Sequence, residues 1–222
     1  MCGICGYVSF GDESWPKATL PLMTRTLTHR GPDGQGWFEG ENVGLGHARL
    51  AVIDLSDAAS QPMTSSCGRY TLVFNGEIYN YRQLREELQS DQAFTTASDT
   101  EVVLRAWQRW SHHSLSRLNG IFAIAIWDSK EKSLFLARDR WGVKPLYVHS
   151  NSNFLVFGSE IKAILASGKL SPAMEVGNLS EFLHYGHSLG ENTLFTGVRK
   201  ISPGHFLKCD ETAFEQSSYW RP

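Results

Sequence analysis

Short polar connections between apolar runs limit most strongly what this chain can fold into. Residues 121–128 and 133–139 flank one short polar turn, and residues 145–149 and 154–158 flank another. Connections of this length join antiparallel strands, because a parallel pair needs a crossover of roughly a dozen residues or more. The run at 121–127 is apolar at every position, which predicts a strand buried on both faces.

The remaining periodic segments predict a layered fold. We expect further strands at 4–10, 43–53 and 70–74, and helices at 20–28, 80–89, 98–110, 159–167 and 179–185. Asn80 is placed to cap one helix, and Ser98 with Glu101 forms a capping-box pattern at the start of another. Because helices come between groups of strands, the pattern indicates an α+β fold with antiparallel sheets.

Composition excludes several classes of function. The 222 residues carry a net charge of −2, which argues against a nucleic-acid partner or an anionic membrane surface. No apolar run approaches the roughly 18 residues of a membrane span. The first ten residues lack the basic and apolar regions of a signal peptide. We therefore expect a cytoplasmic protein with no membrane partner.

Cys2 is the residue most informative about chemistry. It follows a methionine, and its side chain is small enough for that methionine to be removed. Removal would leave a thiol, with a reference pKa of about 8.5, and a free α-amine, with a reference pKa of about 7.7–8.0, on one residue. The neutral amine could then take the thiol proton, so that nucleophile and general base coincide. The alternative is a cysteine without a catalytic role.

Cys2 and Cys5 also form a Cys-x-x-Cys pattern, which suits a redox pair or half of a zinc site. A zinc site needs a second ligand pair, whereas Cys67 and Cys209 stand singly. The pattern also leads directly into an apolar strand, whereas a redox pair ordinarily opens a helix. We therefore expect no metal site and a buried, inert Cys5, with a metal or redox protein as the alternative.

Four further residues suit the binding of a polar substrate. Arg49 ends an apolar strand, where its guanidinium either reaches solvent or clamps a carboxylate. Asn75 and Gly76 form either a simple turn or an oxyanion hole. Asp99 begins a predicted helix, where it either stabilises the helix dipole or binds an ammonium group. Taken singly, Arg49 and Asp99 are better explained by the structural role.

Five motifs follow one another along the chain. They are Cys2-Gly3-Ile4-Cys5-Gly6, His29-Arg30-Gly31-Pro32-Asp33, His47-Ala48-Arg49-Leu50, Asn75-Gly76-Glu77-Ile78-Tyr79-Asn80 and Ser98-Asp99-Thr100-Glu101. In this combination the chain resembles the class II glutamine amidotransferases, which are N-terminal-nucleophile hydrolases. The segment at 50–55 is most similar to the glutaminase domain of glutamine-hydrolysing asparagine synthetases. Further matches continue to Pro203-Gly204-His205, so the resemblance covers nearly the whole chain.

The resemblance implies a fold and a reaction. The fold would be a four-layer α/β/β/α sandwich of two antiparallel sheets, with one glutaminase domain over residues 1–222. L-Glutamine would be hydrolysed to glutamate and ammonia through a thioester on Cys2. Asn75 and Gly76 would form the oxyanion hole, Arg49 would clamp the α-carboxylate and Asp99 would receive the α-ammonium. The pocket would be lined by Glu77 and by the backbone of Leu50, Ala51, Val52 and Ile53, and the loop at 30–34 would close over the substrate.

The resemblance also implies a missing part. Asparagine synthetases continue into an ATP-binding domain with a Ser-Gly-Gly-x-Asp-Ser loop, which this sequence lacks. We therefore expect a truncated piece of a longer protein, whose own synthetase domain is the partner and alone binds ATP and magnesium. No cofactor is expected in residues 1–222, and a homodimer is left open. The alternatives are a catalytically silent regulatory domain of the same fold and an amidotransferase domain serving an acceptor other than aspartate.

Overall fold

Strands make up most of the regular structure. The computed structural model describes residues 1–10, 13–89 and 93–222. Its strands are β1 (Gly3–Ser9), β2 (Gly34–Glu39), β3 (Val43–Arg49), β4 (Met63–Thr64), β5 (Tyr70–Ile78), β6 (Gly120–Asp128), β7 (Ser133–Arg138), β8 (Tyr147–Ser150), β9 (Phe154–Gly158), β10 (Arg199–Lys200), β11 (His205–Cys209) and β12 (Phe214–Ser218).

The helices are short. They are α1 (Thr19–Arg25), α2 (Tyr81–Leu88), α3 (Asp99–Trp110), α4 (Ser114–Arg117), α5 (Ile161–Leu165) and α6 (Leu179–Tyr185). Across the described ranges, none of them has the length and apolar character that crossing a bilayer would require.

The strands form two antiparallel sheets. The first sheet has the order β10-β8-β9-β1-β3-β2, and the second has the order β12-β11-β7-β6-β5-β4. Both predicted hairpins are present, as β6–β7 and β8–β9. β1 lies inside the first sheet, paired with β3 on one side and β9 on the other. Because β1 is held between two neighbouring strands, the position of Cys2, which directly precedes it, is fixed as well.

Three hydrophobic interfaces separate four layers. Leu45 of β3 and Leu136 of β7 lie in the core between the two sheets. Met23 of α1 packs in the interface between the first sheet and the helices α1 and α5. Val102 and Trp107 of α3 pack with α2 over the outer face of the second sheet. The expected α/β/β/α sandwich is therefore confirmed.

Some boundaries differ from those expected. β3 ends at Arg49 instead of residue 53, because the backbone N–H groups beyond it bond to side chains and not to a neighbouring strand. β5 continues to Ile78, so Asn75 and Gly76 lie inside a strand and the interpretation as a turn is wrong. β2, β11 and β12 were not predicted from the sequence. β2 and β12 are edge strands whose residues alternate between half-buried and exposed, and they therefore lack an apolar run.

The start of α3 is fixed by its cap. The Ser98 hydroxyl accepts a hydrogen bond from the Glu101 N–H at 3.3 Å, as the capping pattern predicts. The Glu101 carboxylate, however, accepts from the N–H groups of Thr95 and Thr96, so it anchors the segment before the helix. The expectation for Asn80 is wrong, because its side chain bonds to backbone groups of residues 117 and 119 instead of capping α2.

We predict that β3 tolerates no side chain at Gly46, where α1 packs on the first sheet. A Cβ there would lie 2.2 Å from the Thr24 hydroxyl oxygen and 3.0 Å from Cys5 Sγ. Gly46→Ala should lower the free energy of unfolding by about 1–3 kcal/mol, because α1 must shift. Urea unfolding followed by circular dichroism measures this. Gly34→Ala is the control, since a Cβ there meets nothing within 4 Å, and equal stability of both variants would contradict the close packing.

Candidate active site

A cavity of about 170 Å³ lies where β1 begins, β3 ends and β5 passes the first turn of α3. Every residue expected at the site from the sequence lines it. These residues are Cys2, Arg49, Leu50, Ala51, Val52, Ile53, Asn75, Gly76, Glu77 and Asp99. The structure therefore brings together residues that are spread over nearly a hundred positions of the sequence.

Cys2 presents its sulfur to the segment that follows β3. Its Sγ accepts a hydrogen bond from the Leu50 N–H at 3.3 Å and lies 3.5 Å from the Leu50 carbonyl oxygen. Burial raises the pKa of the Cys2 thiol, while the Leu50 N–H acts in the opposite direction by favouring the thiolate. Of the nearby charges, the N-terminal ammonium and the Lys144 cation lower the pKa of this thiol, whereas the Asp99 carboxylate raises it.

Cys5 has different surroundings from Cys2. It is fully buried, and its Sγ lies 3.4 Å from the Thr24 hydroxyl of α1. Burial raises the pKa of Cys5 to about 12, which makes its thiol unreactive. All cysteines are free, and no cluster of metal-ligating side chains occurs within the described residues. Cys5 is therefore a buried residue with an unreactive thiol, as expected, and differs from Cys2, which lines the cavity.

Asn75 is a buried polar residue of the cavity. Its side chain is fully buried, yet within the described part of the chain neither its Nδ2 nor its Oδ1 has a hydrogen-bond partner. A buried amide without partners costs about 1–3 kcal/mol, and it gains that free energy back when a ligand supplies the missing bond. Asn75 is therefore ready to donate to a group that enters the cavity.

The backbone of β5 provides a second hydrogen-bond donor, the Gly76 N–H. Alternate residues of a strand direct their N–H groups to the same edge. The Phe74 N–H donates to Gln61 Oε1 at 2.6 Å, and the Ile78 N–H donates to Asp99 Oδ2 at 3.0 Å. The Gly76 N–H lies between these two, on the edge of β5 that β6 does not occupy. A Cβ at Gly76 would lie 2.3 Å from the Ile121 carbonyl oxygen, so only glycine fits this close pairing with β6.

Arg49 shares its guanidinium between the cavity and a loop. Its Nη2 donates to the carbonyl oxygens of Asp54 and Ser56 at 2.7 and 2.9 Å, and its Nη1 donates to Ser60 Oγ at 3.1 Å. A guanidinium has five donors, so donors remain for a carboxylate in the cavity. Arg49 thus holds the loop that forms one wall and still lines the space inside it.

Asp99 is a buried carboxylate that lines the same cavity. Its side chain is 5% exposed, and burial raises the pKa of Asp99 to about 6, with the nearby Glu77 charge acting in the same direction. Hydrogen bonds from backbone N–H groups, including that of Ile78, partly oppose this shift. A cationic ligand group would stabilise the ionised form of Asp99.

The segment at 50–53 forms the outer wall. The Ala51 N–H donates to Asp33 Oδ2 at 2.9 Å, so this wall is tied to the loop at 29–34. Val52 is 68% exposed, and Glu77, which also lines the cavity, is exposed as well. Residues 30–34 do not themselves line the cavity, so the expected closure of that loop over the substrate stays a prediction.

Among the buried lining residues that sequence reasoning did not assign to the site, three lie outside the predicted helices and have side chains able to bind a polar group. They are His47, Gln61 and Lys144. His47 stands two positions before Arg49, so the two-residue period of a strand could have placed it on the same face. Burial lowers the pKa of His47 to about 3, so its imidazole is neutral. Gln61 and Lys144 come from loops, where no periodicity shows which way a side chain points.

Comparison with known proteins gives a consistent result. A family model described as "Glutamine amidotransferase domain" matches residues 1–220. Asparagine synthetase [glutamine-hydrolyzing] 3 of Bacillus subtilis is 41% identical, over 99% of this chain and 36% of the relative. Amidase chry2 of Gibberella zeae is 36% identical, over 99% of this chain and 34% of the relative. The chain thus spans about a third of the length of these relatives.

A solved structure shares the fold. Glutamine phosphoribosylpyrophosphate amidotransferase of B. subtilis has a TM-score of 0.74 and 21% identity, over 100% of this chain and 50% of that chain. Since the family model spans nearly the whole chain and its relatives cover the same residues, this protein belongs to the class II glutamine amidotransferases, as a glutamine amidotransferase domain of the asparagine synthetase-like proteins.

Proposed function

We propose that this domain hydrolyses L-glutamine to glutamate and ammonia through a thioester on Cys2. One observation carries the proposal: Cys2, Arg49, Asp99 and the donors of Asn75 and Gly76 line a single cavity. Glutamine has a carboxylate and an ammonium group at one end and a carboxamide at the other. A guanidinium, a carboxylate and a thiol beside two N–H donors complement these groups.

The chemistry follows from the assigned roles. The thiolate of Cys2 attacks the carboxamide carbon, and the electrons of the C=O bond move to oxygen. Asn75 and Gly76 donate to this oxyanion, an interaction worth about 3–4 kcal/mol per donor in comparable sites. The intermediate collapses as the C–N bond breaks, and the nitrogen leaves as ammonia with the proton that the Cys2 α-amine took from the thiol. Water then hydrolyses the thioester to glutamate and regenerates the thiol.

Met1 must be removed for this scheme to work. With Met1 attached, the Cys2 nitrogen is an amide and cannot accept a proton. Met1 also lines the cavity, where it would occupy space that the substrate needs. Removal both creates the general base and clears the site.

We predict that a short N-terminal tag that blocks processing abolishes glutaminase activity without unfolding the protein. Activity should return when a protease exposes Cys2 as the first residue. Intact-mass measurement, circular dichroism and a glutamate-release assay on the same samples check this. The processed Cys2→Ala variant is the control and should be inactive. Full activity with the tag attached would mean that the α-amine is not the base.

We predict that loss of the oxyanion donor and loss of the carboxylate clamp change different kinetic constants. Asn75→Ala should lower kcat about 10²–10³-fold with little change in KM, because the oxyanion exists only in the transition state. Arg49→Ala should mainly raise KM, since the carboxylate is bound throughout. Steady-state kinetics of both variants provide the measurement.

Arg49 also holds the loop at 54–60, so a loop control is needed. Ser60→Ala removes one of the loop bonds and leaves the guanidinium in place. It should keep KM near the parent value. If Asn75→Ala and Arg49→Ala changed the same kinetic constant, the two roles would be assigned wrongly.

We predict that glutamine binding weakens as Asp99 becomes protonated. Because the pKa of Asp99 is raised to about 6, the carboxylate is ionised above pH 6 and neutral below it. In the non-hydrolysing Cys2→Ala variant, affinity should be constant from about pH 7 to 8 and fall about tenfold per unit well below pH 6. Titration calorimetry measures this. Adding Asp99→Asn should give weak binding without that dependence, and a flat profile in the Cys2→Ala variant alone would remove Asp99 from the ammonium site.

The fate of the ammonia is proposed for a protein that contains this domain together with a synthetase domain. Its relatives named asparagine synthetases suggest that ammonia passes to an ATP-dependent domain that amidates aspartate, with ATP and magnesium bound there. Two fungal relatives are named amidases, so the same domain is compatible with other acceptors. We place the reaction in the cytoplasm, where reducing conditions keep the Cys2 thiol free. Supplying the full-length protein with glutamine, ATP and aspartate, and measuring asparagine, tests the acceptor.

A further inference from the structure

Lys144 is a buried cation beside the first residue of the chain. It lies in the connection between β7 and β8, is 7% exposed and lines the cavity. Its Nζ contacts Met1 Sδ at 3.0 Å. A thioether is only a weak acceptor, and no described carboxylate lies within ion-pair distance of this ammonium. The cation is therefore held beside Met1, with no ion-pair partner among the described residues.

The backbone of Lys144 is fixed from both sides. Its N–H donates to Asp139 Oδ2 at 2.9 Å, and its carbonyl oxygen accepts from Arg138 Nε at 2.8 Å. Asp139 is fully buried and also accepts from the N–H groups of Phe122 and Val143. The stem of Lys144 thus starts from a rigid point, unlike that of an ordinary surface lysine.

Charges on several elements surround the ammonium. Burial lowers the pKa of Lys144, and the Arg30 guanidinium adds to this effect. Cys2, Asp139 and Glu77 act in the opposite direction and favour the cation. Arg30 is itself ion-paired with Glu160 at 3.0 Å, which reduces its repulsion of Lys144. Charges on Cys2 just before β1, on β5 and on the loop of Lys144 itself therefore partly offset the lowering of the Lys144 pKa by burial.

Two charged side chains act on the Cys2 thiol with opposite sign. The Asp99 carboxylate of α3 favours the protonated thiol, whereas the Lys144 cation favours the thiolate. When Met1 is removed, its side chain leaves the position against Lys144 Nζ, and the new α-amine lies on Cys2. A cation beside an amine disfavours a second positive charge there.

We propose that Lys144 is a positioning residue that keeps the Cys2 α-amine neutral and its thiolate stabilised once Met1 has been removed. This role rests on the proposed glutaminase reaction. After the amine has taken the thiol proton, the same repulsion from Lys144 promotes transfer of that proton to the departing nitrogen. Lys144 thus favours the thiolate formed in the first proton transfer, while making the amine a weaker acceptor, and it favours release of the proton from the amine in the second, without touching the reacting atoms.

The test compares Lys144→Met, which keeps the length of the side chain without its charge, with Lys144→Arg, which keeps the charge. The readout is kcat at saturating glutamine as a function of pH, because a bound ammonium holds Asp99 ionised in the complex. We expect the acidic limb of Lys144→Met to rise by about 1 pH unit, and that of Lys144→Arg to follow the parent. Lys144→Gln provides a second uncharged variant should Lys144→Met fold poorly.

A measurement without substrate separates this inference from the proposed function. In processed protein carrying ¹³C-labelled cysteine, the Cys2 carbons titrate with the α-amine and the thiol, and Cys2→Ala assigns their signals. A higher midpoint in Lys144→Met than in the parent supports the role of Lys144 even if the parent proved inactive on glutamine. Equal midpoints, or superimposable kcat profiles in an active enzyme, would overturn it while leaving glutamine hydrolysis intact.

Discussion

The antiparallel pairing of β1 inside the first sheet is the constraint on which the site depends. Gly3 pairs with Ala48, so the register brings Cys2 against Arg49, the last residue of β3, and Cys2 Sγ meets the N–H of the following Leu50. A slip of one residue would turn every side chain of β1 to the other face and remove the sulfur from the cavity. Backbone register therefore sets the place of the Cys2 thiol, and the buried strands on either side keep that register.

The second sheet contributes to the cavity through one edge of β5. β4 pairs with β5 only at residues 71 and 72, and beyond that point the same edge of β5 faces side chains and the cavity. Gln61 and Asp99 satisfy the N–H groups of Phe74 and Ile78 there, so the N–H of Gly76 between them remains available to a ligand. An open strand edge normally invites association with another chain. Here it lies inside the molecule and serves as a row of donors.

The sequence predicts the residues of this site better than it predicts the edge strands and loops that surround them. Turns and buried runs identify the hairpins because hydrophobic pattern and turn chemistry are local. Edge strands such as β2 bury little and leave no apolar run, so they were missed. Arg49 and Asp99 have ordinary structural explanations singly, and only the combination of motifs assigned them to a substrate. Gln61 and Lys144 reach the cavity from loops, whose course depends on tertiary contacts that no local pattern encodes.

The polar groups of the cavity are held in an unfavourable state. The Asn75 amide is buried without a partner among the described residues, and burial raises the pKa of Asp99 to about 6 and that of Cys2 above its usual value. At neutral pH the unpaired Asn75 amide and the ionised Asp99 carboxylate lower the stability of the fold, and under the proposed function each would be relieved by a different part of glutamine. A ligand without the ammonium group would leave Asp99 uncompensated, and one without the carboxamide would leave Asn75 unpaired. Burial of these groups therefore links binding energy to discrimination, because a substrate recovers the whole cost only if it carries all the matching groups.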